Sequence, residues 1–268
     1  MEHKSIASER GTTHYWIHKN ADDKAKCIVF THGLTADHSM FEKQVAHFEA
    51  RYTIITWDVP LHGLSRPYAD FSYSNTAVAL ETILDTEHIS KAVLAGMSMG
   101  GYPCQEFAAQ YPDRTLALIA IDTTPFGTEY YSKSDQWWIK RAGTMAGWFP
   151  DSLLRKSMAK AVSRTQYAYD LMLSMLKPLS KADIMRQMDI AYGKFLEENH
   201  DIRLNCPVLI LVGEYDTTGK VKKYSSEWAK REGYPLIVIK NASHFSNADN
   251  FLDVNAAIDA FLSQILPE

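Results

Sequence analysis

The chain has 268 residues, 46 % hydrophobic and 22 % charged, enough to bury one large core. Lys and Arg number 28 against 32 Asp and Glu, and the formal net charge of -4 lacks the basic footprint of a nucleic-acid or anionic-membrane binder. No apolar run reaches the roughly 18 residues of a membrane span, and the N-terminal MEHKSIASER lacks the apolar core of a signal peptide.

Short β-like runs flank Gly11, the stronger over Thr12–His18, and predict an edge hairpin. KCIVFTH, from Lys26 to His32, is the first apolar strand and ends at Gly33. A helical stretch over Ser39–Ala50 leads to a second strand, YTIITW, which ends at Asp58. The turn-rich loop VPLHGLSRP comes next, then a helical pattern over Asn75–His88. KAVLAGM is the third strand and ends at Ser98; helical residues follow to Tyr111, where Pro112 stops them. LALIAI ends at Asp122, PVLILV and PLIVI supply two more strands, and a last helix runs over Asp253–Ile265.

These strands are short, apolar and rich in Val, Ile and Leu. That composition predicts burial on both faces, hence a mostly parallel central sheet flanked by helices in an α/β fold. One interval breaks the alternation. Between Pro125 and His200 no strand pattern appears, and six of the ten methionines fall there: Met145, Met158, Met172, Met175, Met185 and Met188. Amphipathic windows such as Gln166–Leu176 make this an inserted helical cap over 125–200, with the core formed by 1–124 and 201–268. Cys27, Cys104 and Cys206 are far apart and outside CxxC spacing, which fits reduced thiols in a cytoplasmic protein.

In an open parallel sheet, ligands bind beyond the carboxyl ends of the strands, so polar residues there carry the chemistry. Ser98 lies in Gly96-Met97-Ser98-Met99-Gly100, a G-x-S-x-G pattern. Such a turn from strand into helix exposes the serine on strained backbone and needs small residues two places before and after it. A hydroxyl is a poor nucleophile without a base in reach, and His244 follows the last strand. Asp216, at the end of LVGEYD, suits the carboxylate that orients the imidazole, with Asp122 as the alternative acid and Glu214 as a competitor nearby. An oxyanion hole needs two donors, and the backbone N–H groups of Met99 and of Leu34, in HGL, are the candidates. Met97, Trp137, Trp138 and Trp148 are candidate pocket walls, although apolar stripes in a helical cap more often pack on one another. Lys133, Lys140 and Arg141 are read as solvated cap surface. The chemistry calls for no metal and no cofactor, and the partner is a small-molecule substrate.

Together FTHGL, WDVPLHGLSRP, AGMSMGG, LVGEYD and NASHF resemble the α/β-hydrolase superfamily over nearly the whole chain. Within it they are similar to small capped esterases and enol-lactonases. The resemblance implies the α/β-hydrolase fold and acyl transfer to Ser98, in the order Ser98, Asp216, His244. The loop after Asp58 departs from the usual R-G-x-G-x-S by reading Leu61-His62-Gly63-Leu64-Ser65, which weakens any subfamily assignment more than the chemistry. A serine at position 98 argues against the dehalogenase and epoxide hydrolase branches, which use aspartate there. The same residues leave open carbon–carbon bond hydrolysis, a synthase-type elimination, or a ligand-sensing receptor. Steady-state ester turnover separates the enzyme from the receptor.

Overall fold

A computed structural model describes residues 1–141 and 150–266. An N-terminal hairpin, β1 (Glu2–Ser8) and β2 (Gly11–His18), precedes β3 (Cys27–Thr31), α1 (Glu42–Phe48) and β4 (Thr53–Trp57). Next come α2 (Tyr73–Thr86), β5 (Ala92–Met97), α3 (Gly101–Gln110) and β6 (Thr115–Ile121). Helices α4 (Lys133–Ile139), α5 (Asp151–Val162), α6 (Gln166–Leu176) and α7 (Lys181–Glu198) follow without an intervening strand among the described residues. The chain closes with β7 (Val208–Gly213), α8 (Val221–Glu232), β8 (Leu236–Ile239), α9 (Ser246–Asp249) and α10 (Phe251–Ile265).

The eight strands form one sheet in the order β1-β2-β4-β3-β5-β6-β7-β8. From β4 to β8 every pairing is parallel; only the N-terminal hairpin runs antiparallel, with β2 joined to the edge of β4. Strand alternation splits the core into two layers. Ile28, Phe30 and Val93 face α1 and α10, whereas Val29, Leu94 and Leu118 face α2, α3 and α8. This is the α/β-hydrolase architecture that the motif order implied.

Local chemistry sets the helix ends. Ser72 accepts from Asn75 N–H, so α2 starts two residues before the apolar period suggests. Ser132 with Asp135, and Ser180 with Asp183, form capping boxes that start α4 and α7. Two features depart from the sequence pattern. Strand β8 is the sheet edge, leaving Ile237 and Val238 about 40 % exposed where burial on both faces was expected. Helix α8 falls where no element is predicted; it buries Tyr224, Ser225, Trp228 and Ala229 at helical spacing within an otherwise charged stretch.

Cross-connections fix the helical interval to the sheet. Tyr73 Oη donates to the Ala191 carbonyl at 3.0 Å, and Gln187 Nε2 to the Leu61 carbonyl at 2.9 Å. Asp249 Oδ1 accepts the Arg164 and Thr165 amides, each at 2.8 Å, and its Oδ2 accepts Ser243 N–H at 2.9 Å. Phe245 N–H donates to the Val162 carbonyl at 2.8 Å. The α5–α6 turn is thus fastened to the segment that carries His244.

Candidate active site

Ser98 follows β5 directly, with a backbone φ of 51°. A non-glycine residue pays strain in that left-handed region, and the surroundings must hold it there. They do so through close backbone packing. A Cβ on Gly96 would come within 2.4 Å of the Gly100 carbonyl oxygen, and one on Gly100 within 2.2 Å of the Thr31 carbonyl oxygen. The Ser98 carbonyl accepts from Thr123 Oγ1 at 2.6 Å. Ser98–Gly100 form a short 3-10 turn into α3, so the Met99 amide lies in the first helical turn, where amides lack intrahelical acceptors. Leu34 and Met99 border the same cavity as Ser98.

His244 Nε2 lies 2.9 Å from Ser98 Oγ, and its Nδ1 lies 2.9 Å from Asp216 Oδ2. A carboxylate only accepts, so Nδ1 carries the imidazole proton and Nε2 is left to accept from the Ser98 hydroxyl. The other oxygen of Asp216 accepts Thr218 N–H at 2.8 Å, which orients the carboxylate. Burial disfavours charge on His244, but the Asp216 hydrogen bond and the charges of Asp216 and Asp122 outweigh it and raise the imidazole above its ordinary 6.5.

Asp122 is fully buried and takes a different part. Its Oδ1 accepts Gly213 N–H at 2.7 Å and its Oδ2 accepts Ser246 N–H at 3.1 Å, so it ties together the two loops that carry Asp216 and His244. Desolvation, partly countered by the nearby histidine, pushes its carboxyl up to about 7. Glu214 is engaged elsewhere, accepting Asn241 N–H at 3.0 Å. His32 accepts Val59 N–H at Nε2, 3.0 Å away, and its Nδ1 lies 2.7 Å from the Gly33 carbonyl. Burial lowers its pKa, so a neutral imidazole braces the HGL loop against the turn after β4.

A family model described as the alpha/beta hydrolase fold matches residues 26–251, spanning the turn, the acid loop and the histidine loop. The chain belongs to the α/β-hydrolase family. Its similarity to individual members is low. It is 22 % identical to a 3-oxoadipate enol-lactonase of Acinetobacter baylyi over 250 residues, 88 % of each chain. It is 25 % identical to a 2-(acetamidomethylene)succinate hydrolase of Mesorhizobium japonicum over 238 residues, 82 % of each chain. The crystal structure of a hydrolase from Pseudomonas aeruginosa superposes with a TM-score of 0.80 at 17 % identity, covering 97 % of this chain and 98 % of the other.

In this α/β hydrolase two cavities meet at Ser98. One of about 340 Å³ is walled by rings, among them Tyr102, Tyr131, Phe195 and Tyr224, with Lys220 and Trp138 at its side. The other, about 280 Å³, is walled by Met40, Met97, Met158, Met172 and Met188. Leu34, Ser98, Tyr192, Thr218 and His244 border both. Of the sequence-predicted walls, Met97 and Trp138 border these cavities. Trp137 does not: it is 48 % exposed, packs edge-on against Trp138 and carries the Arg141 guanidinium 3.9 Å from its ring centre. Adjacent helical residues point about 100° apart; both indoles are largely exposed, and only Trp138 reaches the cavity edge. Trp148 and Met145 lie outside the described residues. The ring wall had no sequence signal, because its tyrosines come from α3, α8 and the segment after β6 and look like ordinary core aromatics.

Among the described residues one grouping has metal-ligand types close together, Asp37, His38 and Asp58. Three of its four carboxylate oxygens already have partners: Asp58 Oδ1 accepts from the His38 backbone amide, Asp58 Oδ2 accepts Leu64 N–H, and Asp37 Oδ1 caps the following turn through Ser39.

Proposed function

We propose that the protein is a serine hydrolase that cleaves a carboxylic ester of a small, largely apolar substrate through an acyl-enzyme. The observation that carries this is the unbroken relay Ser98 Oγ, His244, Asp216, each step 2.9 Å, starting from a serine on a strained turn. Ser98 attacks the carbonyl while His244 Nε2 takes its proton, and Asp216 holds the tautomer and stabilises the imidazolium. The Leu34 and Met99 amides receive the oxyanion, each worth about 3 kcal/mol in comparable sites. His244 then protonates the departing alcohol, and water repeats the sequence on the acyl-enzyme. The named lactonase relative supports ester chemistry, since a lactone is a cyclic ester. Residues 125–200 act as the cap, with Tyr192 of α7 bordering both cavities that Ser98 lines. The free cysteines, with burial pushing the Cys104 thiol up to about 12, suit a cytoplasmic location.

A fluorophosphonate probe labels Ser98 in the intact protein, and Ser98→Ala lowers ester turnover by roughly 100,000-fold or more. An unlabelled Ser98 together with an active Ser98→Ala variant refutes the assignment.

A further inference from the structure

Helix α5 separates two spaces of opposite chemistry. It gives Met158 and Val162 to the methionine-walled cavity at Ser98. With the turn into α6 it also lines a surface groove of about 680 Å³, which carries Lys156, Lys160 and Arg164 and no acidic residue. Positions 156 and 160 share one face of the helix and 158 and 162 the opposite one, as the helical period requires. Three cations without an acid stand out in a chain of net charge -4. Neighbouring acids are committed elsewhere: Asp151 pairs with Arg155, Asp170 accepts from Gln166 Nε2 at 2.8 Å, and Asp249 accepts the amides of Arg164, Thr165 and Ser243. Lys156 and Lys160 have no ion-pair partner among the described residues. The Arg164 guanidinium lies 3.9 Å from the ring centre of Tyr215, which steadies it. Ala161 belongs to both spaces and is exposed, as is Thr217 on the methionine-walled cavity. That cavity therefore reaches solvent where the cationic groove begins.

We propose that the groove recognises an anionic end group of the substrate, joined to the scissile ester by an apolar chain that runs through the methionine-walled cavity. Thioethers adapt to a flexible chain, and the cations stand where its far end emerges. An anion would be costly to leave unpaired inside the apolar cavity, so it belongs outside, on the groove. Arg and Lys donors suit such an oxyanion, Arg164 through its planar fork of N–H groups. The proposal rests on the serine-hydrolase reading above and adds a charged far end to its largely apolar substrate. It holds whether the acyl or the alkoxy half of the ester bears the anion.

The test compares each ω-carboxylate with its neutral ω-carboxamide, in two series of increasing chain length measured at low ionic strength. Mono-p-nitrophenyl esters of straight-chain diacids, from adipate upward, put the anion on the acyl side; ω-acetoxyalkanoates put it on the alkoxy side. In at least one series kcat/KM is expected to favour the carboxylate by roughly tenfold once the chain spans from Ser98 to the groove, with no preference at the shortest lengths. Long-range steering by the protein's field would act at every length instead. Lys156→Gln combined with Lys160→Gln brings the long-chain ratio to within about twofold of one. Lys24→Gln combined with Lys26→Gln, the same charge change at exposed lysines before β3, leaves it in place. Because each ratio is internal to one variant, a general loss of activity cancels. Equal turnover of carboxylate and carboxamide at every length, a preference independent of length, or an equal loss in the two lysine pairs overturns the proposal while leaving the serine mechanism intact. Absence of any Ser98-dependent turnover on all these esters overturns both.

Discussion

Replacing Asp216 by asparagine changes one charge and almost no volume, and the structure says which way the amide turns. Asp216 Oδ1 accepts Thr218 N–H at 2.8 Å, and Oδ2 faces His244 Nδ1 at 2.9 Å. An asparagine has one acceptor oxygen. The backbone donor at Thr218 claims it, so the amide NH₂ faces Nδ1 and donates to it. The imidazole proton then moves to Nε2, where it points at Ser98 Oγ instead of accepting from it. Comparable swaps cost about 10,000-fold in kcat, or about 5.5 kcal/mol of transition-state stabilisation. The pH profile adds an independent sign. In the proposed mechanism only neutral His244 acts as base, so kcat/KM is expected to climb with pH through the His244 pKa, on the alkaline side of 6.5. Losing the Asp216 hydrogen bond and charge moves that midpoint to lower pH. Steady-state kinetics of Asp216→Asn and Asp122→Asn across pH 5–9 read both quantities. In Asp122→Asn the amide satisfies only one of the Gly213 and Ser246 amides, which costs about 1–3 kcal/mol of stability and much less activity. A loss below tenfold in Asp216→Asn, or a larger loss of kcat in Asp122→Asn, refutes the assignment of the acid.

Gly100→Ala places a methyl 2.2 Å from the Thr31 carbonyl oxygen, so the turn must move off β3; a destabilisation of about 3 kcal/mol or more is expected in urea unfolding, with fluorophosphonate labelling slowed in whatever remains folded. Asp249→Ala strips acceptors from the amides of Arg164, Thr165 and Ser243 together; about 3 kcal/mol of stability is expected to go, with faster hydrogen exchange at those amides, and unchanged exchange there would count against the clamp.

The stations of the site were legible because parallel strands deliver residues to one edge of the sheet, whatever lies between them. Ser98, Asp216 and His244 each follow a strand end, and that placement depends on period and punctuation alone. The small residues around Ser98 were legible for the same reason: Gly96 and Gly100 are required by a clash, and a clash leaves a mark in the sequence. Asp122 was harder. Its position fits an acid of the relay, and only its bonds to Gly213 and Ser246 reveal a clip between loops. The pocket was least legible. Trp137 and Trp138 are identical neighbours, both about half exposed, yet only Trp138 borders the cavity, and the residues that give the ring-walled cavity its shape are spread over elements whose mutual placement no local pattern encodes. Strand β8 reads as an inner strand because its residues are apolar, yet its place at the edge follows from chain order and not from composition.

The bonds that align the site also govern when activity appears during refolding. Ser98 and His244 are 146 residues apart, the two Asp122 clips span 124 and 91, and the Asp249 clamp spans 85. Such long loops close late, because their entropy must be lost before the contacts repay it. Helices α2 and α3 can form from neighbours in the chain, but no partial chain ending before β7 holds either the Asp216 or the His244 loop. Regained turnover therefore reports completion of the whole sheet, and it lags the helical signal by the time the last strands take to dock.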